Sequence, residues 1–200
     1  MALVLFSCVG GSIILPDADL TLADRADGGN LIVNPPREVW ERSELSAPEL
    51  TNWTLLVASV GLAMIDAQPQ MEGGCINYWE AGNWALNDEA PPRGPKRAEA
   101  HRRVHLHLLG RSRHARRADW RWGEAPMFPA YADRLDWAST HQRLHTEEVA
   151  AIVARAVTLL CEKYDVVTEK IALSAPCPSC GYISARIGAG ADVCEECAPT

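Results

Sequence analysis

Short apolar runs bounded by proline predict β-strands in the first part of the chain. Met1 to Val9 is apolar and predicts an early buried strand. Residues 12–15 predict a second strand, which Pro16 stops, and residues 30–34 predict a short buried strand that ends at Pro35. The chain therefore begins with strands separated by turn-rich segments.

Two later segments have the period of amphipathic helices. Ser46 and Glu49 form a capping box around Pro48, and the apolar positions that follow predict a long helix over residues 47–66. Its predicted buried face consists of Leu50, Trp53, Leu56, Val57, Val60 and Met64. Thr146 caps a second predicted helix over residues 147–163. The apolar stripe of that helix is Val149, Ile152, Val153, Ala156, Val157 and Leu160.

Alternation with a period of two returns from residue 103 to residue 110. On a strand, His105 and His107 project from one face, and the intervening aliphatic side chains project from the other. Imidazole acts as nucleophile, base or metal ligand near neutral pH, so this pair is a candidate for chemistry. Residues 75–80 predict the preceding strand, and residues 87–100 predict a loop that is rich in proline and charge.

Residues 112–140 contain several aromatic side chains and predict an ordered excursion, because disordered segments are poor in aromatics. Together these elements predict an α+β domain over residues 1–165, with an antiparallel sheet and two main helices. Residues 164–175 predict a linker to a small C-terminal unit over residues 174–200.

The C-terminal unit contains two C-x-x-C pairs, Cys177 with Cys180 and Cys194 with Cys197, separated by 13 residues. This spacing predicts a zinc ribbon in which four thiolates hold a structural Zn²⁺ and leave no open position for catalysis. A redox dithiol pair is the alternative. Three roles stay open for the ribbon: binding a protein partner, capping the domain, or touching nucleic acid. Only Arg186 is basic within it, which argues against strong nucleic-acid binding.

Charge is unevenly distributed along the chain. The 200 residues carry a net charge of −7, and the composition, 48% hydrophobic and 22% charged, is typical of a globular protein. Basic residues nevertheless crowd around the two histidines, which in an acidic protein favours a phosphate-bearing small ligand over a long polyanion. They are Arg93, Lys96, Arg97, Arg102, Arg103, Arg111, Arg113, Arg116 and Arg117.

The remaining patterns bear on compartment. No apolar run is long enough to span a bilayer, and the apolar first residues lack the basic segment and cleavage site of a secretory signal. Cys8, Cys75 and Cys161 stand singly in apolar surroundings and are predicted to be free buried thiols. This cysteine usage predicts a reducing, cytoplasmic location.

The order of elements and the residues around the histidines resemble the histidine-triad superfamily of nucleotide hydrolases and transferases. That family has His-φ-His-φ-His-φ-φ on a core strand, and residues 103–109 match it with Arg103 in place of the first histidine. Residues 31–37 are similar to the family's hydrophobic strand followed by proline and a basic residue, and Asn77 falls where the family has a strand asparagine. Asn30 replaces a histidine usual in the family, and the serine usual before the triad is absent.

The resemblance implies a role for each candidate residue. His105 would attack an α-phosphorus and form a nucleotidyl-histidine, which water or a second acceptor then cleaves. A backbone carbonyl that accepts the Nδ1 proton of His105 would leave Nε2 free for the attack. His107 would donate a hydrogen bond to a phosphate oxygen or to the leaving group, and Arg103 would take over part of the first histidine's role. The candidate substrate-binding residues are Asn77, Asn83, Arg111 and Arg113 for phosphate, and Asp24 or Asp27 for ribose.

The predicted function is hydrolysis of nucleotide phosphoanhydrides, with dinucleoside polyphosphates such as diadenosine tetraphosphate as the first substrate class to consider. A nucleotidyltransferase of the same superfamily and a non-catalytic nucleotide-binding or interaction module with a degenerate triad are the alternatives. A metal site of His105 and His107 with His101 or His114 is a third. Members of the superfamily often form dimers, so the resemblance also implies a homodimer.

Overall fold

The computed structural model describes residues 2–164 and 166, and the short strand segments at 175–176 and 183–184. Five strands form one antiparallel sheet in the order β1-β2-β3-β5-β4. They are β1 (Leu3–Cys8), β2 (Gly11–Leu15), β3 (Asn30–Asn34), β4 (Cys75–Ala81) and β5 (His105–Arg111). The helices are α1 (Ala47–Asp66), α2 (Ala98–His101), α3 (Arg134–Ser139) and α4 (Thr146–Tyr164). Two further strands, β6 (Ala175–Pro176) and β7 (Ile183–Ser184), pair with each other.

One face of the sheet is covered by the two long helices. Helices α1 and α4 pack against each other, and their apolar stripes bury Leu31 and Val33 of β3 with Leu106 and Leu108 of β5. Helix α1 begins where the capping box predicts, because Glu49 accepts hydrogen bonds from the backbone N–H (2.8 Å) and hydroxyl (2.9 Å) of Ser46. The bond from the Ser46 backbone, with help from Arg37, lowers the pKa of Glu49 to about 2.

The opposite face of the sheet is covered over only part of its length. The predicted excursion is ordered, and its Trp120 is 2% exposed against Leu22, Ala23 and Leu109. The Trp120 indole donates to the carbonyl of Gly110 (2.7 Å). The ring of Phe128 stacks on Trp79 of β4 with ring centroids 4.6 Å apart. These contacts seal the carboxyl-terminal half of β5 and leave its amino-terminal half uncovered by them.

The predicted α+β class with an antiparallel sheet is confirmed, and α1 has the predicted bounds. Helix α4 extends one residue beyond the prediction at each end. Strand β5 begins at His105 rather than at residue 103, because the Val104 N–H bonds to the carbonyl of Val39 (2.9 Å) and not to a neighbouring strand. Within the described residues, no helix is both long and apolar enough to cross a membrane.

The prediction of buried thiols is wrong for two of the three single cysteines. Cys75 is exposed because it begins β4, an edge strand, and Cys161 is exposed near the end of α4; Cys8 is half-buried. The four cysteines of the predicted zinc ribbon, Cys177, Cys180, Cys194 and Cys197, lie outside the described residues, as does most of the predicted linker.

Candidate functional site

A cavity of about 620 Å³ opens on the sheet face opposite α1 and α4, over the amino-terminal half of β5. Its volume lies within the usual range for small-molecule sites. Aromatic and aliphatic side chains form most of its wall, and histidines, arginines and one asparagine form the rest. The lining residues are Leu20, Leu22, Ile32, Trp79, Gly82, Asn83, Trp84, Ala85, Ala90, His101, Arg103, His105, His107, Tyr131 and Arg134.

The two strand histidines lie side by side at the floor of this cavity. Their ring centroids are 5.0 Å apart, as the alternation in the sequence requires. In the register of the sheet, His107 stands between Ile32 of β3 and Trp79 of β4. The rings of His107 and Trp79 are 5.4 Å apart. The His107 side chain is therefore flanked by side chains of both adjacent strands.

The backbone of Arg103 fixes the protonation pattern of His105. The Nδ1 atom of His105 lies 2.9 Å from the Arg103 carbonyl oxygen. A carbonyl oxygen only accepts hydrogen bonds, so Nδ1 carries the proton of the neutral ring and Nε2 keeps its lone pair. Burial lowers the pKa of His105, although the Arg103 carbonyl acts in the opposite direction. The neutral ring with a free Nε2 is the nucleophilic form.

His107 is more deeply buried, with 6% of its surface exposed. Burial lowers its pKa to about 3, with a smaller contribution from the charge that His105 can carry. Within the described part of the chain, its Nδ1 has no hydrogen-bond partner. A neutral imidazole with an unsatisfied nitrogen can donate or accept a hydrogen bond without adding charge to the cavity.

An ion network supports the backbone that contacts His105. The Arg102 guanidinium donates to the carbonyl of Trp40 (2.5 Å), to Glu41 (2.8 Å) and to Glu80 (3.2 Å). It ties the start of β5 to β4 and to the segment after β3. The Arg103 carbonyl itself packs against Gly82, at which an added Cβ would lie 2.8 Å from that oxygen.

Four of the predicted site residues meet in this cavity: Arg103, His105, His107 and Asn83. Asn77 is on the same strand as Trp79, two residues away, but does not line the cavity. The charge of Arg103 is partly offset, because its guanidinium lies 3.2 Å from the carboxylate of Glu38. It also donates to the carbonyls of Glu99 and Arg102.

The other predicted ligands lie elsewhere. Arg111 is on the histidine face of β5 but is 4% exposed, because its guanidinium donates to the carbonyls of Arg121 (2.6 Å) and Glu124 (2.7 Å). Arg113 is exposed and outside the cavity. Asp24 and Asp27 line a separate pocket of about 420 Å³ near Ser112, seven residues along the chain from His105. Asp24 there accepts the backbone N–H groups of Ala26 and Gln142.

Sequence patterns did not identify Tyr131 and Arg134 as site residues. Both belong to the excursion, where no regular period relates a residue to the sheet. The Arg134 guanidinium lies 3.9 Å from the centroid of the Tyr131 ring. An arginine stacked on a tyrosine was the only available signal, and it becomes visible only in three dimensions.

In the part of the chain that the structure describes, no group of three or more His, Cys, Asp or Glu side chains is arranged to hold a metal ion. Compared with known proteins, the chain matches no family model, no curated protein and no solved structure. A functional assignment therefore depends on the residues of the cavity.

Proposed function

We propose that this protein hydrolyses nucleotide phosphoanhydrides through a covalent intermediate on His105, in the manner of the histidine-triad superfamily that its sequence resembles. The observation that carries the proposal is the contact between His105 Nδ1 and the Arg103 carbonyl oxygen. This contact selects the tautomer whose Nε2 can attack phosphorus, and it stabilises the imidazolium that forms as the P–N bond is made.

The proposed reaction has two displacement steps. The lone pair of His105 Nε2 forms a bond to the α-phosphorus, and the bond from that phosphorus to the bridging oxygen breaks, with its electron pair leaving on the departing phosphate. Water then attacks the same phosphorus and releases one proton to solvent, and the P–N bond breaks with its electron pair returning to Nε2, which regenerates the neutral imidazole. Neutral His107 donates an N–H to a phosphate oxygen in both steps, which is favourable because charge accumulates on those oxygens.

The aromatic and aliphatic side chains that line the cavity form an apolar surface on which a nucleoside could stack. Trp84 and Tyr131 approach edge to face with ring centroids 6.2 Å apart, and Leu22 and Ile32 extend the apolar surface toward the histidines. A nucleobase has two apolar faces and stacks well on such side chains. We therefore assign the nucleobase to this apolar surface and the reacting phosphate to the two histidines.

The predicted ribbon enters the proposal as a separate unit. Its cysteine spacing supports structural Zn²⁺ held by Cys177, Cys180, Cys194 and Cys197. No step of the proposed reaction passes through that ion, because the four thiolates would fill its coordination sphere. The ribbon is proposed as a support or docking unit, and the cavity as the site of chemistry.

The proposal predicts a protein-bound nucleotide. Purified protein is mixed with a dinucleoside polyphosphate labelled at the α-phosphate and quenched in alkali, because phosphoramidates on histidine are labile in acid. We expect label on wild-type protein and none on His105→Ala, which should keep nucleotide affinity within about tenfold, or roughly 1.4 kcal/mol. The matched control is His114→Ala, since His114 is exposed and outside the cavity.

The outcomes separate the candidate functions. Label that also forms on His105→Ala overturns the assignment of the nucleophile. Label that persists in water but is released by a second acceptor such as a sugar phosphate identifies a nucleotidyltransferase. Nucleotide binding without label or turnover favours the non-catalytic binding module.

A further inference from the structure

We propose that Arg134 binds the phosphate groups beyond the reacting one, so that the cavity binds nucleoside polyphosphates more tightly than nucleoside monophosphates. This inference rests on the proposed function, because it assumes a nucleotide with its α-phosphorus at His105. It goes further by naming a substrate class and by assigning a binding role to Arg134, in the segment that lines one side of the cavity.

The placement of Arg134 follows from the way α3 is attached to the sheet domain. The Trp137 indole donates to the carbonyl of Leu22 (3.2 Å), and its ring stacks on His141 with centroids 4.9 Å apart. Residues three apart on a helix share a face. Arg134 is three residues before Trp137 and lines the same cavity as Leu22. The helix therefore holds Arg134 over the cavity.

The guanidinium of Arg134 is preorganised but has not been neutralised. It is stacked on Tyr131, and its Nη1 donates to the Tyr131 carbonyl (2.7 Å). Among the described residues, no carboxylate forms an ion pair with it. Arginine has several more N–H donors in a planar fork, and this fork matches phosphate oxygens. A fixed guanidinium with unused donors is a receptor for an anionic oxygen group.

Arg102 and Arg103, the two arginines that precede His105 in the sequence, already have carboxylate partners. Arg102 is bound by Glu41 and Glu80, and Arg103 by Glu38. In a protein with a net charge of −7, an arginine that lines the cavity without an acidic partner is the best placed to attract a polyphosphate. Arg134 would also stabilise the charge that the departing phosphate gains when its bond to the α-phosphorus breaks.

Binding measurements test the proposal without depending on turnover. The probes are adenosine, AMP and the non-cleavable analogue α,β-methylene-ATP, titrated calorimetrically into wild type, Arg134→Gln and Arg134→Lys. We expect the analogue to bind wild type more tightly than AMP, and Arg134→Gln to weaken the analogue by about tenfold or more while changing adenosine little. Arg134→Lys should recover part of the loss. The control is Arg143→Gln, an exposed arginine outside the cavity.

Three results would overturn this assignment. An equal loss for all three probes would mean that Arg134 shapes the cavity or contacts the base. No loss for the analogue, or an equal loss in Arg143→Gln, would mean that Arg134 does not hold its phosphates. Covalent labelling of His105 with unchanged analogue affinity in Arg134→Gln removes only the present inference. Lost analogue affinity in a protein that never labels supports the anion site and removes only the covalent mechanism.

Discussion

On one face of strand β5, the side chains of the first half line an open cavity, and the side chains of the second half are buried. His105 and His107 project into an open cavity, whereas Leu109 and Arg111, next along that face, are covered by the excursion. The strand geometry is the same in both halves, so the difference comes from what packs on top. Trp120 packs against Leu109, and the Phe128 ring contacts both Trp120 (centroids 5.9 Å apart) and Trp79 (4.6 Å), which is paired with His107 in the sheet.

One strand therefore provides both part of the packed core and part of the cavity surface. The buried Arg111 donates from Nη2 to two backbone carbonyls, and its guanidinium lies 4.8 Å from the centroid of the Trp120 ring, while its Nη1 has no hydrogen-bond partner among the described residues. Because Arg111 is 4% exposed and does not line the cavity, a ligand in the cavity does not reach it. At the open end, both histidines line the cavity, and the Nδ1 atom of His107 has no hydrogen-bond partner among the described residues. One half of the strand is therefore part of a packed core, and the other half forms the surface on which the proposed function depends.

The largest expected effect separates a buried tryptophan of the closed half, Trp120, from a partly buried tryptophan of the cavity wall, Trp84. Trp120→Ala removes a 2% exposed indole and its bond to Gly110, so we expect a loss of about 3–5 kcal/mol in the free energy of unfolding. Trp84→Ala, which removes a partly buried indole that lines the cavity and packs at the edge of the same cluster, should cost about 1–2 kcal/mol. Urea denaturation of both variants measures this contrast. Equal losses would mean that Trp84 in the cavity wall contributes as much to the free energy of unfolding as the buried Trp120.

A smaller effect concerns the pH dependence of stability that the more buried histidine, His107, produces. The folded pKa of His107 is about 3, below its unfolded value of 6.5, so the unfolded chain takes up protons first on acidification. The stability contributed by neutral His107 is complete above pH 6.5 and is lost progressively as the pH falls from 6.5 toward 3. Between pH 7 and pH 5 we expect this residue to cost about 2 kcal/mol of stability.

The measurement is urea denaturation of wild type and His107→Gln at pH 7 and pH 5. The variant should lose less stability on acidification than wild type, because glutamine does not titrate. His105→Gln, at the more exposed neighbouring position, is the comparison variant and should remove a smaller part of the pH dependence. An identical pH dependence in wild type and His107→Gln would contradict the burial that sets the His107 pKa.

Local sequence patterns were sufficient to predict the helices and strands, but not the packing of the excursion on the carboxyl-terminal half of β5. The capping box at Ser46 and Glu49 is complete within four residues, so the start of α1 could be predicted correctly. The paired histidines follow from alternation alone. The stack of Trp79 on Phe128 joins residues that are far apart in sequence, and no period relates them. Arg111 was therefore predicted as a ligand although it is buried, and Arg134 was missed although it lines the cavity.

A more local effect tests the contact on which the proposed chemistry depends. Gly82 has φ +125°, and a Cβ there would lie 2.8 Å from the Arg103 carbonyl oxygen. Gly94 has φ +102° with nothing within 4 Å, so Gly94→Ala introduces similar backbone strain without the clash. We expect Gly94→Ala to lose about 1–2 kcal/mol of stability, and Gly82→Ala to lose more, because its Cβ must also displace the Arg103 carbonyl. Only Gly82→Ala should displace the carbonyl, and therefore reduce the Nδ1–H tautomer of His105 in ¹⁵N NMR spectra of the ring and slow covalent labelling. An unchanged tautomer in Gly82→Ala would show that the carbonyl is not held against Gly82, and would weaken the link between this backbone and the nucleophile.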